Sequence, residues 1–347
     1  MHDKILKYSV GVDMSGKDFK ACFSQIDFEQ KVKVKGSRKF TNTSKGYQAF
    51  HEWLQKYRKD KKVNLKITVE ATGIYHEKLS YFLYKNKYAV CVVLPNRSKK
   101  YLESLGFKSK TDKLDAKGLA QMGAEQNLQT WQPFSNHIYE LKTLTRHRDR
   151  IQKLMTSTNN QLHAHENMGF VTKSVVRQLR QMIKTLNKQL DKVELEINKV
   201  LQKDEVLAHK TQSIAASING VGLMTVATIA AETNGFQLFS SAAQLTSFAG
   251  YDVVENESGK RKGKTKISKK GNSHIRKALH FPALNVVRLQ TGTFPNLFNR
   301  VFDRTRIPMK GYVAVQRKLL CLIFSLWKND QIFDPQFHLK KQQLAKL

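Results

Sequence analysis

The chain has 347 residues and carries 60 Lys and Arg against 28 Asp and Glu, a formal charge of +32. Self-repulsion of that size opposes compaction, so the excess points to a polyanionic partner, and its spread along the chain suits a track of phosphates better than one small acidic ligand. Three scattered cysteines (Cys22, Cys91, Cys321) argue against a disulfide framework or a zinc site, and the apolar stretch from Tyr312 to Trp327 is too short and too charged to span a bilayer.

The N-terminus runs straight into a strand-like segment with no signal peptide in view, so the expected location is the cytoplasm, in association with the nucleoid. Alternation predicts strands over Tyr8–Asp13, Phe19–Phe28 and Lys31–Phe40. Ser44 is the expected cap of a helix with Tyr47, Phe50, Trp53 and Leu54 on one face. A strand over Leu65–Glu70, a helix over Glu77–Lys85 and a strand over Tyr88–Leu94 follow, and Pro95 ends the last one. Three strands in a meander followed by alternating helix and strand is the order of an RNase H-like α/β domain, assigned to residues 1–135.

Residues 136–210 read as a coiled-coil linker and oligomerisation region. Val175, Leu179, Met182, Leu186, Leu190, Val193, Ile197 and Val200 recur at steps of three and four, and Gly169-Phe170 suits the bend of a helical hairpin. Residues 211–347 read as a mainly α-helical third domain. It opens with Gly220-Val221-Gly222, a turn of helix-hairpin-helix type that offers backbone N–H groups to phosphates, with a plain helix–helix turn as the alternative. Helices are expected over Ile275–Leu289 and Val313–Trp327. A basic, glycine-bearing loop from Ser258 to Asn272 carries Lys260, Arg261, Lys262, Lys264, Lys266, Lys269 and Lys270, and Arg276 follows it.

Two carboxylates end apolar strands: Asp13 after Val10-Gly11-Val12, and Glu70 after Ile67-Thr68-Val69. A charge at the end of a buried strand is costly unless it is paired, hydrogen-bonded or bound to a cation. Asp112 and Asp115 lie three apart at the start of a helix, on one face, where a divalent ion between them would offset their repulsion. Four carboxylates suit two Mg²⁺ ions roughly 3.5–4 Å apart, an arrangement that activates a nucleophile and stabilises the leaving oxygen of a phosphodiester. Ser258 taken alone is a turn residue in a phosphate-binding loop, since a hydroxyl is a weak nucleophile until a base or metal activates it.

These segments resemble the insertion-sequence 110 family of transposases, which includes the Piv-type DNA invertases. The shared motifs are Val10-Gly11-Val12-Asp13, Val69-Glu70-Ala71-Thr72-Gly73-Ile74-Tyr75, Lys110-Thr111-Asp112-Lys113-Leu114-Asp115-Ala116 and Gly220-Val221-Gly222. Further along they are Ala249-Gly250 through Ser258-Gly259, Ile267-Ser268-Lys269-Lys270-Gly271-Asn272, Ile275-Arg276 and Arg317-Lys318-Leu319-Leu320. The resemblance implies a RuvC-like domain with an acidic tetrad at Asp13, Glu70, Asp112 and Asp115, joined through a coiled coil to a transposase domain. It also implies that Ser258 is a nucleophile that links covalently to DNA, in an active site shared between subunits of a homo-oligomer, dimer or tetramer. Partners so implied are double-stranded DNA and a structured guide RNA from the element, with Mg²⁺ as cofactor and no membrane. Val253 stands five residues before that serine, where the family often has proline, and Ser268 and Ser273 are the alternative nucleophiles. Two other functions fit the carboxylates: a Holliday-junction nuclease of RuvC type that uses activated water, and a non-catalytic nucleic-acid-binding relative.

Overall fold

The computed structural model describes residues 5–337 apart from 108, 110, 256, 259, 260 and 264, and at 257, 258, 261 and 262 it describes the backbone. The chain divides into two compact units, Met1–Pro133 and Phe134–Leu347.

In the first unit the strands β1 (Ile5–Met14), β2 (Asp18–Asp27) and β3 (Val32–Thr41) form an antiparallel meander. β4 (Leu65–Glu70) joins the other side of β1 in parallel, and β5 (Ala89–Val93) lies parallel to β4, giving the order β3-β2-β1-β4-β5. This mixed sheet, with its antiparallel half at one side, is the RNase H-like topology. One face carries an aromatic core in which Phe19, Phe23 and Phe40 meet Phe50 and Trp53 of α1 (Ser44–Tyr57). The helices α2 (Glu77–Lys85) and α3 (Pro95–Ser104) flank β5 in sequence. The cap of α1 is Thr43, whose hydroxyl accepts from the Gly46 N–H at 3.3 Å, one residue earlier than the expected Ser44. Pro95 does more than end β5. It opens α3 at the first helical position, where its fixed φ suits the helix and its missing N–H costs nothing.

The opposite face is covered by α4 (Asp112–Glu125), capped by Thr111, whose side chain accepts from the Leu114 N–H. Its contact face is made of Ala116, Ala120 and Gly123 and lies directly on β1 and β4. A Cβ on Gly11 would sit 2.1 Å from the Ala116 carbonyl oxygen, so this strand and helix touch through their backbones. Ser9 Oγ donates to the Ala120 carbonyl at 2.6 Å across the same seam.

The second unit begins with an antiparallel hairpin of α5 (Asn136–Glu166) and α6 (Lys173–Gln202), turning at 167–172 around the exposed Phe170. The buried and half-buried seam of α6 is Val176, Leu179, Ile183, Leu186, Leu190, Val193, Ile197 and Val200. Of the expected positions, Val175 is half-buried beside the buried Val176, and Met182 is turned outward at 53% exposure, with Ile183 half-buried in its place. Then come α7 (Glu205–Ser217), α8 (Leu223–Glu232) and α9 (Ala242–Ala249). After the short strands β6 (Val253–Val254), β7 (Glu257–Ser258), β8 (Arg261–Lys262) and β9 (Lys266–Ile267), the chain ends in α10 (Ser273–Ala278), α11 (His280–Arg288), α12 (Phe294–Thr305) and α13 (Pro308–Asn329). A single core runs from Leu141 and Ile151 of α5, through Ile197 of α6 and Ala230 of α8, to Leu319 and Ile323 of α13. Among the described residues no helix is long and apolar enough to cross a membrane.

Candidate active site

β1 and β4 are adjacent and parallel, with Val12 level with Val69, so the residues that follow, Asp13 and Glu70, emerge at one rim. Ligand sites in α/β sheets sit at the carboxyl ends of strands, where side chains turn from the core toward solvent. α4 starts at the same rim. Because glycine at position 11 lets it lie on β1, its first turn brings Asp112 and Asp115 into the field of Asp13. The consequence is electrostatic. Burial, followed by the charges of Asp115, Asp112 and Glu70, pushes the Asp13 carboxyl up to about 7, with Lys20 acting in the opposite direction. The fold thus brings the other three predicted carboxylates within electrostatic reach of Asp13.

Two partners of the cluster were not singled out in the sequence. Lys20 stands opposite Asp13 in the β1–β2 register, and its Nζ donates to Asp112 Oδ2 at 2.9 Å. That bond holds the Asp112 carboxyl below the usual range. Ser98 Oγ, at the first turns of α3, donates to Glu70 Oε2 at 2.6 Å. Strand alternation places Lys20 on the same face of β2 as Cys22, which packs on α4.

As they stand, no three His, Cys, Asp or Glu side chains among the described residues converge tightly enough to hold a metal ion. The donor set nevertheless fits Mg²⁺. It is all oxygen, it carries an unbalanced negative charge that lifts Asp13, and Mg²⁺ takes one or two carboxylates while keeping several waters. Asp13, Glu70, Asp112 and Asp115 are the residues that would hold it, with Lys20 as the cation against Asp112 in their present arrangement.

The expected basic loop is a β-ribbon. Val253 and Val254 pair with Ile267 and Lys266, and Glu257 and Ser258 pair with Lys262 and Arg261. Ser258 closes β7 opposite Arg261, the first residue of β8, and is described in its backbone, as are Arg261 and Lys262. Lys260 and Lys264 lie outside the described residues. Lys266 is exposed on β9, and Lys269 and Lys270 are exposed just beyond it. The alternative serines sit lower: Ser268 N–H donates to the Asp252 carbonyl at 2.8 Å and its Oγ accepts from Lys270 N–H, while Ser273 begins α10.

The base of the ribbon is clamped. Gly250 (φ +78°) and Gly271 meet backbone to backbone, and a Cβ on Gly271 would lie 2.5 Å from the Phe248 carbonyl oxygen and Gly250 nitrogen. Tyr251 is fully buried, with its hydroxyl donating to Gln316 Oε1 at 3.0 Å. Below it lies a group the sequence reading passed over. Glu232, whose side chain is 0% exposed, accepts from Arg146 Nε at 2.6 Å, Arg146 Nη2 at 2.9 Å and Asn272 Nδ2 at 2.7 Å. Burial alone would raise its carboxyl, but the Arg146 and Asn272 contacts outweigh it and hold the group below the usual range. Arg276 spends Nη1 on the Ala249 carbonyl at 2.7 Å. Gly220 (φ +98°) faces α11, where a Cβ would lie 3.1 Å from Asn285 Cβ, whereas Gly222 caps α8 with nothing within 4 Å.

An RNase H-like sheet with clustered carboxylates at the strand ends defines a phosphodiester-processing class of protein. Comparison with known proteins narrows it. The model of a transposase family, the DEDD transposase of IS110, matches residues 10–167, and that of the transposase IS116/IS110/IS902 family matches residues 212–299. The chain belongs to the IS110 family of transposases. It is 27% identical over 333 residues to the pilin gene-inverting protein of Moraxella bovis, covering 96% of this chain and 99% of that one. With the pilin gene-inverting protein of Moraxella lacunata it shares 26% identity at the same coverage. Among solved structures it aligns with T. thermophilus RuvC in complex with a Holliday junction substrate (TM-score 0.26, 11% identity, 33% of this chain and 90% of that one). A second alignment is with Thermus thermophilus RuvC (TM-score 0.28, 10% identity, 36% and 99%).

Proposed function

We propose that this transposase is a site-specific DNA recombinase in which Ser258 is the nucleophile, the acidic cluster holds Mg²⁺, and a structured RNA of the element selects the DNA. The observation that carries the reading is the convergence of Asp13, Glu70, Asp112 and Asp115 on one rim of the sheet. When bound there, Mg²⁺ would stabilise charge on the non-bridging and leaving oxygens of a phosphodiester.

The chain's own residues do the rest. Ser258 Oγ attacks phosphorus, forming a Ser–O–P bond as the bond to a deoxyribose oxygen breaks. Its proton passes to a base, and the freed deoxyribose hydroxyl is held for the exchange. Attack on the Ser–O–P bond by the hydroxyl of a different strand restores the serine and joins the new strands. Placing Ser258 on a ribbon clamped at its base limits the freedom lost on reaching that geometry. Lys266, Lys269 and Lys270 supply phosphate contacts, as do Arg261, Lys262, Lys260 and Lys264 by their residue type, and the open turn at Gly222 offers further backbone donors. The guide RNA is supported by the family resemblance and by the charge of +32. A homo-oligomer is supported by the resemblance and by the long α5–α6 hairpin.

The test is a Mg²⁺-dependent recombination assay on the flanking element DNA with its RNA. Asp13→Ala should abolish strand cleavage, and Ser258→Ala should abolish the protein–DNA adduct while leaving DNA binding intact. An adduct that persists in Ser258→Ala moves the nucleophile to Ser268 or Ser273. Cleavage of a four-way junction without any adduct makes the enzyme a hydrolytic nuclease.

A further inference from the structure

The second unit has an open groove of about 1140 Å³ beside the base of the serine ribbon, lined by residues of α5, α8, α10, α11 and α13. On the α5 side Asn159 and Asn160 are exposed amides that can both donate and accept, whereas Gln152 Oε1 accepts from Arg148 Nη1 at 3.2 Å and the Thr156 hydroxyl donates to the Gln152 carbonyl at 2.9 Å. The same groove is lined by Phe281 of α11, 71% exposed, an aromatic ring that folding leaves in water.

The charges in the walls are mostly committed within the protein. Lys277 bonds Asp149 at 2.6 Å, His274 Nδ1 lies 3.5 Å from the same carboxylate, and Arg148 bonds Glu194 at 2.7 Å. Lys153 and Lys269 are exposed at the edges. A surface for duplex DNA presents a dense track of cations to two phosphate backbones. This groove instead offers a stacking face, the paired amides of Asn159 and Asn160 suited to base edges, and cations at its edges. Those are the requirements of a strand whose bases are unpaired.

We propose that this groove holds a short unpaired polynucleotide segment, with a base stacked on Phe281, base edges met by the amides of Asn159 and Asn160, and phosphates met by Lys153 and Lys269. The proposal rests on the reading above only in that nucleic acid is the substrate. The segment has two possible sources, a DNA strand released from its duplex during exchange or a loop of the structured RNA, and both present the same chemistry.

The test uses the full-length protein in EDTA, so that no strand chemistry intervenes, and fluorescein-labelled 12-nucleotide probes of one mixed sequence as unpaired DNA, unpaired RNA and duplex DNA. At fixed salt, Phe281→Ala should weaken an unpaired probe about tenfold, the scale of one lost base–aromatic stack, and leave the duplex within about twofold. The double variant Asn159→Ala/Asn160→Ala should weaken the same probe without altering the thermal midpoint. Whichever unpaired probe is affected more identifies the source. Equal losses for duplex and unpaired probes, no loss for either, or a change in the sedimentation mass of Phe281→Ala would overturn the proposal. The Ser258 adduct assay is independent of these probes, so failure here leaves the nucleophile reading standing, and failure there leaves the groove standing.

Discussion

Asn272 Nδ2 donates to Glu232 Oε2 at 2.7 Å while Asn272 Oδ1 accepts from the His274 and Ile275 N–H groups at 2.9 and 3.2 Å. One amide therefore ties a buried carboxylate of α8 to the cap of α10, at the point where the serine ribbon returns to the core. Its backbone N–H reaches the Phe248 carbonyl at 2.8 Å, which ties in the end of α9 as well. Of the ribbon's two legs the returning one packs on the core through Ile267, while the outgoing one, with Val253 56% and Val254 40% exposed, depends on this junction at its base.

Removing the carboxylate should be costly. Glu232→Ala removes the carboxylate that Arg146 and Asn272 share, and since the Arg146 side chain is 40% exposed and open to water, the cost is that of the lost charge-assisted hydrogen bonds, about 1–3 kcal/mol. Glu232→Gln keeps the shape and one acceptor and should lose less. Urea denaturation of both variants checks the order. A midpoint for Glu232→Ala equal to that of wild type would show that the network contributes no stability.

The seam between β1 and α4 should be intolerant of a methyl group. In Gly11→Ala the new Cβ would fall 2.1 Å from the Ala116 oxygen and the Ala120 nitrogen, both backbone atoms that no rotamer change relieves. The helix must lift, at about 1–3 kcal/mol for an overpacked site. The same lift moves Asp112 and Asp115 away from Asp13. Strand cleavage should therefore fall far more than the thermal midpoint, and the two measurements made on one sample test this directly.

Asp13 gives the pH dependence. Its folded carboxyl titrates near 7 and an unfolded one at the ordinary 3.8, so between those values the folded protein keeps a proton that the unfolded chain has released. The ion-free fold accordingly loses stability as pH rises through that window, relative to Asp13→Asn, which has no such group. Binding of Mg²⁺ displaces the same proton, so its affinity should climb by up to about tenfold per pH unit below 7 and level off above. Titration calorimetry from pH 5.5 to 8.5 reads the slope, and a flat profile in wild type would contradict it.

Lys20 competes with that ion. Its ammonium on Asp112 supplies part of the positive charge the cluster lacks. In Lys20→Met the half-saturating Mg²⁺ concentration should fall severalfold. An unchanged or higher value would mean that Lys20 helps to build the ion site.

Asp13 and Glu70 could be read from the sequence because each closes an apolar strand, and a strand's direction fixes where its last side chain emerges. Lys20 could not be tied to Asp112 in this way, as the pair forms only once β2 has aligned with β1 and α4 has settled on both, 92 residues apart in sequence. The ribbon escaped for a different reason. Its strands are two residues long, too short for any alternation, and its composition of lysine and glycine is that of a loop. Glu232 ends an apolar helix and finds Asn272 only 40 residues later, so nothing local marks it.

The hairpin supplies the sharpest contrast between two neighbouring residues. Sequence offers Val175 and Met182 as seam positions in steps of three and four, and equally offers Val176 and Ile183, because α6 is apolar at both pairs. α5 decides between them. Val176, Leu179, Ile183 and Leu186 keep a strict alternation of three and four into Leu190 and Val193, the spacing that holds one stripe against a single antiparallel partner. Ile183→Ala should therefore cost about 2 kcal/mol through lost packing, while Met182→Ala, at 53% exposure, should stay within about 0.5 kcal/mol of wild type. Denaturant midpoints of the two variants measure the difference. If Met182 proves the costlier loss, it is covered in solution, and the face of α6 that carries it packs against a second copy of the chain.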